Sequence, residues 1–97
     1  MAHPIDHEEH SRGGAFLYSQ NGRRVGELTY QRVGEKLVIL DHTFVDESLR
    51  GQGLARELLD AIVAWARATQ TKIRPTCSYA VVVFARDKSI ADVLEVA

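Results

Sequence analysis

The sequence predicts an α/β (α+β) fold, with a three-stranded antiparallel meander, a βαβ crossover to a parallel strand, and helical structure at the C-terminal end. Residues 37–40 form an apolar, β-branched run of strand length. Downstream, apolar residues recur at helical spacing, namely Leu54, Leu58, Ile62 and Trp65. A glycine-bearing loop at residues 45–55 joins the two patterns, so this part of the chain is predicted to run strand, loop, helix.

The meander is predicted upstream of that loop. A first strand begins at residues 15–18, and Asn21-Gly22 favours a type I′ hairpin because both central positions require positive φ. A second strand then covers residues 23–32. Residues 33–35 form a turn that returns the chain into a third strand over residues 36–45.

The crossover follows the loop. A helix from about Gly53 to Thr69 packs its apolar face on the sheet, and the short strand at residues 72–76 contains a proline, which favours an edge position. A right-handed crossover makes this strand parallel to the one that ends at Val45, so both carboxyl ends border the same ligand site. Residues 89–94 are predicted to be a final helical turn or two, with Ser89 as N-cap.

Length and composition indicate one globular domain. The chain has 97 residues, 45% of them hydrophobic and 26% charged, with a net charge of -1 that provides no basic field for nucleic acid. A single cysteine excludes an internal disulfide. Because the chain has neither a signal-like apolar segment nor a membrane-length run, we expect a cytoplasmic protein that does not bind membranes.

The first twelve residues are expected to be a flexible lead-in, and residues 13–97 the domain. His3, His7 and His10 raise the possibility of a metal site, yet no fixed scaffold surrounds them in the sequence. A solvated tail without metal is the favoured interpretation.

The glycine loop predicts an anion site. Gly51 and Gly53 permit close backbone approach, and the first free N–H groups of the following helix carry partial positive charge. Phosphate is the natural ligand. A P-loop is excluded because its Gly-Lys-Ser/Thr is absent, and the dinucleotide fingerprint is disfavoured because Arg56 stands where its third glycine belongs.

The motif Arg50-x-x-Gly53-x-Ala55 resembles the Arg/Gln-x-x-Gly-x-Gly/Ala signature of GNAT-type acetyltransferases. Two further segments, His42-Thr43-Phe44-Val45 and Pro75-Thr76-Cys77-Ser78-Tyr79, resemble the minimal single-domain branch, the group of N-acetyltransferase domain-containing protein 1. The resemblance covers roughly residues 12 to 94. It implies a compact GNAT-like fold and acetyl-CoA or coenzyme A as co-substrate.

The resemblance also implies which residues bind the cofactor. The expected set is Val45, Arg50, Gly51, Gln52, Gly53, Leu54, Ala55, Ser78 and Tyr79. Arg50 is expected to support the loop backbone by hydrogen bonds to pyrophosphate, with Arg56 either doing the same or remaining solvated. It further implies a helix over residues 78–86, although the run Val81-Val82-Val83 alone favours a strand.

Cys77 and His42 are the candidate catalytic residues. Cys77 is either a buried structural cysteine or a thiol that accepts the acetyl group, since a position at a helix start favours the thiolate. Alternation along the strand puts His42 on the same face as Leu40 and Phe44, either as a core residue or as a general base. Some relatives carry an acidic residue where Phe44 stands, which argues here against a carboxylate base on this strand.

The sequence therefore predicts an acetyl-CoA-dependent N-acetyltransferase. An amine attacks the thioester directly or receives the acetyl group from Cys77. Because free lysine has a pKa of about 10.4, the amine needs a base to remove its proton, and His42 is the candidate. With no room for additional N-terminal helices, the acceptor groove is expected to be open, which favours a protein or peptide amine. The alternatives are a non-catalytic module or sensor that binds CoA or acyl-CoA and, less favoured, a nucleotide phosphate site. The oligomeric state is left open between monomer and weak dimer.

Overall fold

The chain forms a five-stranded sheet with its helices packed on one face, as a computed structural model describes it for residues 3–96. The strands are β1 (Asp6–His10), β2 (Gly13–Gln20), β3 (Arg23–Gly34), β4 (Leu37–Val45) and β5 (Lys72–Pro75). The helices are α1 (Leu54–Thr69) and α2 (Ser78–Arg86), and 3₁₀ turns cover Glu47–Leu49 and Lys88–Val93. Spatial order follows chain order: β1 to β4 are antiparallel, and β4 and β5 are parallel.

The first strand corrects the expectation of a flexible lead-in over residues 1–12. Residues 6–10 pair with β2 and extend the predicted three-stranded meander to four antiparallel strands. His3 and His7 are held by side-chain contacts, because His3 Nδ1 lies 2.7 Å from Glu57 Oε2 and the His7 ring stacks on Phe16 at 4.1 Å. Residues 1 and 2 lie outside the described part of the chain.

The two predicted turns differ in outcome. Asn21 and Gly22 adopt φ values of 52° and 78°, which confirms the hairpin between β2 and β3. The second turn falls at Glu35 and Lys36 rather than at residues 33–35, since Gly34 still pairs with Leu37.

The core lies between the sheet and α1, as the helical pattern predicts. The buried residues of α1 are Leu54, Leu58, Leu59, Ile62, Val63 and Ala66. They pack in one cluster with sheet residues such as Leu28, Val38 and Leu40, each 0% exposed. Burial of this apolar area is the main stabilising contribution to the fold.

The C-terminal third also follows the prediction in outline. The parallel strand β5 is at the sheet edge, and residues 78–86 form a helix whose Ala80 and Phe84 join the same core. Tertiary burial of these two side chains outweighs the strand propensity of the valine run. Ser89 is not the N-cap of the last turn. That role belongs to Asp87, whose carboxylate accepts a hydrogen bond from the Ser89 N–H.

A bulge in β4 determines which side chains face the core. Thr43 pairs with the buried Leu28, and Leu40 pairs with the buried Tyr30, so Thr43 and Leu40 share the core face although they are three residues apart. One extra residue, Asp41, therefore interrupts the alternation. His42 consequently lies on the outer face together with Phe44, and the expectation that it shares a face with Leu40 is wrong.

The outer face of the sheet is predominantly polar. Glu8, Thr29 and His42 fall in one cross-strand row, with Ala15 as the apolar member. Both helices contribute to the core on the other face. Within residues 3–96, no helix is both long enough and apolar enough to cross a membrane.

Candidate active site

The loop that precedes α1 is open at its centre. Gly51 and Gly53 have φ values of 86° and 77°, a region that favours glycine. A Cβ built on either residue meets no atom within 4 Å. These glycines are therefore required by their backbone conformation rather than by crowding, and the space beside the loop is accessible to a ligand.

The start of α1 presents uncapped backbone amides to this space. Gly53 is the N-cap, and no side chain caps the helix. The first main-chain bond into the helix runs from the Glu57 N–H to the Gly53 carbonyl at 3.1 Å. Among the described residues, the N–H groups of Leu54, Ala55 and Arg56 have no acceptor. Three such amides at the positive end of a helix dipole form a favourable site for an anion.

A groove runs from this loop along the end of β4. Its first part is a cavity of about 240 Å³ lined by Val45, Leu49, Arg50, Gly51, Gly53, Leu54, Ala55, Arg56 and Tyr79. An adjoining cavity of about 300 Å³ shares four of these residues and adds Thr43 and Phe44. Seven of the nine predicted cofactor-binding residues line the first cavity, whereas Gln52 and Ser78 are exposed outside it.

The last part of β4 offers a free backbone edge to the groove. Pairing between β4 and β5 ends at Leu40 and Pro75, and the Leu40 carbonyl accepts bonds from the amides of residues 76 and 77. The Asp46 N–H donates to Val25 on β3, so alternation directs the amides of Thr43 and Val45 to the opposite, unpaired side. An extended chain of amides can pair with this edge as an added strand would.

Cys77 lies just after the end of β5, in contact with Thr43, which lines the second cavity. It is the N-cap residue of α2, and its side chain caps nothing. Its Sγ atom lies 3.4 Å from the Thr43 hydroxyl oxygen. Thr43 has no role in the sequence-based prediction. Its place in the His42-Thr43-Phe44-Val45 segment was the one sequence signal that pointed to it. The bulge that turns Thr43 toward Cys77 cannot be predicted from the residue pattern.

His42 does not meet Cys77. It lies on the outer face with its side chain 54% exposed, and its Nε2 is 3.7 Å from Glu27 Oε2. Thr43, the residue that contacts Cys77, lies on the core face. Proton transfer between Cys77 and His42 is therefore not supported by this arrangement.

The two arginines of the loop differ in their partners. Arg56 forms ion pairs with Asp60, at 2.9 Å, and with Asp87. Hydrogen bonds from Ser89 and Arg56 lower the pKa of Asp87 to about 2. By contrast, Arg50 has no carboxylate at ion-pair distance within residues 3–96, and its Nε lies 3.5 Å from the Val45 carbonyl. Arg50 is thus the arginine available to an anion in the groove.

Gly26 and Tyr79 shape the same region. A Cβ on Gly26 would lie 2.7 Å from Leu54 Cδ2, so the absence of a side chain lets the first turn of α1 approach β3. A glycine inside a strand pattern is the sequence signal for such a close approach. Tyr79 borders both cavities, and burial raises the pKa of its hydroxyl.

Comparison with known proteins identifies the family. The GCN5-related N-acetyl-transferase family matches residues 15–93. Human Protein NATD1 is 35% identical over 79 residues, which cover 78% of this chain and 68% of the human protein. A GCN5-like protein from Staphylococcus aureus, described as a putative N-acetyltransferase, is 29% identical with a TM-score of 0.73. The match covers 95% of this chain and 89% of that one.

A more distant structure shares the fold. The ribosomal-protein-S18-alanine N-acetyltransferase of Escherichia coli has a TM-score of 0.64 at 21% identity, with 79% of this chain and 52% of that chain covered. The family match and the human relative agree with the loop motif, and the Staphylococcus aureus structure agrees with the mixed α/β architecture. The chain belongs to the GCN5-related N-acetyltransferase family, as an acetyltransferase whose co-substrate is acetyl-CoA.

Proposed function

We propose that this protein transfers the acetyl group of acetyl-CoA to an amine on a protein or peptide. The observation that carries the proposal is the continuous groove from the uncapped amides of α1, along the free edge of β4, to the Thr43–Cys77 contact. An anionic diphosphate, an amide-bearing arm and a thioester follow one another in acetyl-CoA in that order. The groove offers matching groups in the same order.

In this proposal the backbone holds most of the donor. The N–H groups of residues 54–56 bind the diphosphate, and Arg50 adds charge-assisted hydrogen bonds. The unpaired amides of Val45 and Thr43 pair with the amides of the extended arm. Because these contacts involve the main chain, they depend on loop conformation more than on side-chain identity.

The chemical step is a direct attack by the amine. The nitrogen lone pair forms the new bond to the acetyl carbon, the carbon–sulfur bond breaks, and the sulfur leaves with its electron pair as the CoA thiolate. One proton of the amine must then be removed, and His42 accepts it from the outer face. Residues of both faces can reach a group bound at the edge of β4, because this edge has no partner strand beyond Leu40.

The location of Cys77 favours this direct route over an acetyl-cysteine intermediate. The start of α2 favours a thiolate at Cys77, but among the described residues no base adjoins the thiol to take its proton. The nearest polar partner of Cys77 is the Thr43 hydroxyl at 3.4 Å, and the imidazole of His42 is on the other face. We therefore assign Cys77 and Thr43 to the neighbourhood of the thioester and its leaving sulfur.

The acceptor is proposed to be a protein or peptide amine because the outer face beside His42 is open. His42 and Phe44 are both exposed on that face. The Escherichia coli structural neighbour is named for acetylation of an alanine of a ribosomal protein, which supports a protein acceptor in this fold. A small amine held in a closed pocket is disfavoured.

Radiolabelled acetyl-CoA tests the proposal. Transfer to a panel of peptides with free lysine or N-terminal amines is compared for the wild type, Cys77→Ala and His42→Ala, each at saturating acetyl-CoA. We expect transfer by the wild type, a reduction of about 10²-fold for His42→Ala, and retention of acetyl transfer by Cys77→Ala. A labelled Cys77 adduct that passes its acetyl group to the amine would instead establish the two-step route. Absence of transfer to any amine, with acetyl-CoA still bound, would reject the proposed function in favour of a binding module.

A further inference from the structure

Glu27 and His42 form a side-chain pair on the outer face of the sheet. Glu27 is the cross-strand partner of Phe44, which places it on the face that His42 occupies. Its Oε2 atom lies 3.7 Å from His42 Nε2, an ion-pair distance rather than a hydrogen bond. Among the described residues, no other carboxylate lies within ion-pair distance of His42.

The carboxylate of Glu27 has a second charged neighbour. Its Oε1 lies 3.8 Å from Nη1 of Arg24, and Nη2 of the same arginine lies 2.5 Å from Glu8 Oε1. A chain of alternating charges therefore runs from β1 through β3 to His42 on β4. The Glu27 side chain is 26% exposed, about half the exposed fraction of His42, so the carboxylate is the more confined member of the pair.

The surrounding groups leave one nitrogen of His42 open. Asp41 also faces outward, but its two oxygens accept hydrogen bonds from the Thr29 hydroxyl and the Gln31 amide at 2.7 and 2.6 Å. Together with Glu27 and Arg24 of β3, Asp41 completes the charged side chains near His42 on this face, whereas Glu8 is on β1, three strands away. With Nε2 directed to Glu27, Nδ1 of the imidazole is available to accept a proton.

We infer that Glu27 is a positioning residue for His42, and that the acceptor amine approaches the β4 edge from the outer face. This inference rests on the proposed function. The amine proton passes to Nδ1 of His42, the ring becomes an imidazolium, and the adjacent carboxylate stabilises that positive charge without itself accepting the proton. A carboxylate that orients an imidazole and stabilises its cation is an established way to assist general-base catalysis.

The test compares two carboxylates of the same face. Glu27→Gln removes the charge beside His42, whereas Glu8→Gln removes a charge that also contacts Arg24 but lies on β1, away from His42. We expect Glu27→Gln to lower kcat for amine acetylation about tenfold and to change KM for acetyl-CoA less than about twofold, and Glu8→Gln to leave both within about twofold. Glu27→Asp should restore part of kcat.

A double-mutant cycle separates positioning from general damage to the fold. If Glu27 acts through His42, the Glu27→Gln change should cost little further activity in a His42→Ala background. Equal losses in both backgrounds would overturn the inference. A Glu27→Gln enzyme with the same kcat as Glu8→Gln would overturn it too. In either case, acetyl transfer by the wild type leaves the proposed function intact.

A measurement without turnover keeps the inference testable apart from activity. The ring ¹⁵N signals of His42, observed by NMR in the full chain, should shift in Glu27→Gln and remain in place in Glu8→Gln. Unchanged His42 signals in Glu27→Gln would overturn the contact on which the inference is based. If the signals shift but the wild type transfers no acetyl group, the contact stands, and the catalytic role of the pair falls with the proposed function.

Discussion

The hydroxyl oxygen of Thr43 lies 3.4 Å from the Sγ atom of Cys77, and this contact joins the unpaired end of β4 to the start of α2. The two candidate catalytic residues therefore lie on opposite sides of the sheet. Cys77 contacts Thr43, whereas His42, the residue before Thr43, faces the other side. The groove side of the edge therefore carries the thiol and the hydroxyl, and the outer side carries the imidazole.

Replacing Thr43 by valine should lower the rate of acetyl transfer while leaving CoA binding intact. Valine keeps the shape of the side chain but removes the hydroxyl that we assign to the neighbourhood of the leaving sulfur, and a single hydrogen bond contributes about 0.5–1.5 kcal/mol. We expect a decrease in kcat of about 2- to 10-fold. Thr76→Val is the matched control, since the hydroxyl of Thr76 bonds the Leu40 carbonyl at 3.3 Å instead. Equal effects of the two substitutions would contradict a specific role for Thr43.

The position of His42 shows where prediction from sequence fails. Strict alternation along β4 predicts that His42 shares a face with Leu40, yet Asp41 is inserted as a bulge and reverses the order beyond it. In this bulge Asp41 accepts hydrogen bonds from Thr29 and Gln31, which lie on the neighbouring strand. Such cross-strand contacts leave no periodic signal in a single sequence.

Other elements were predictable to different degrees. The Asn21-Gly22 hairpin and α1 carry strong local signals, and both are confirmed. The strand β1 has no apolar alternation; its sequence of acidic residues and histidines reads as a solvated tail. It pairs because β2 offers an edge and because His7 stacks on Phe16, a contact made between strands.

The loop glycines should affect ligand binding as well as stability. Alanine at Gly51 or Gly53 requires a left-handed conformation that costs about 1–2 kcal/mol, although no atom obstructs the added Cβ. Relief of this strain turns the neighbouring amides away from the diphosphate, so we expect CoA affinity to fall about tenfold. Isothermal titration calorimetry measures the loss.

Gly22 supplies the control for that experiment. Its φ is 78° and its Cβ position is also empty, but it lies in the hairpin between β2 and β3. Gly22→Ala should therefore lower stability by a similar amount and leave CoA affinity unchanged. A comparable loss of affinity in Gly22→Ala would mean that strain, rather than loop amides, explains the effect.

Substitution of Gly26 by alanine should displace the start of α1. The added methyl would lie 2.7 Å from a side-chain carbon of Leu54, which is 1% exposed and cannot move into solvent. Overpacking of this kind costs about 1–3 kcal/mol, measured as the free energy of unfolding in denaturant. Gly34→Ala, where nothing lies within 4 Å, should change it by less than about 0.5 kcal/mol. If the two variants were equally stable, the close approach of α1 to β3 would be refuted.

The hydrogen bonds that Asp87 accepts from Ser89 and Arg56 should make stability depend on pH in the acid range. In the folded protein the Asp87 pKa is lowered from 3.8 to about 2, so its contribution is fully present above the unfolded value and is lost as pH falls through the folded value. The difference in free energy of unfolding between wild type and Asp87→Asn should therefore be constant above about pH 5 and shrink toward about pH 2. A difference that stays constant across this range would rule out the lowered pKa.

The central claim is that loop amides and the β4 edge bind acetyl-CoA together. Backbone amide NMR during titration with CoA tests it most directly, because each amide reports its own contact. We predict that the signals of residues 51–56, Thr43 and Val45 shift together at one affinity, while those of the hairpin residues Asn21 and Gly22 remain in place. Saturable shifts confined to another part of the chain, with the loop amides unchanged, would contradict the claim.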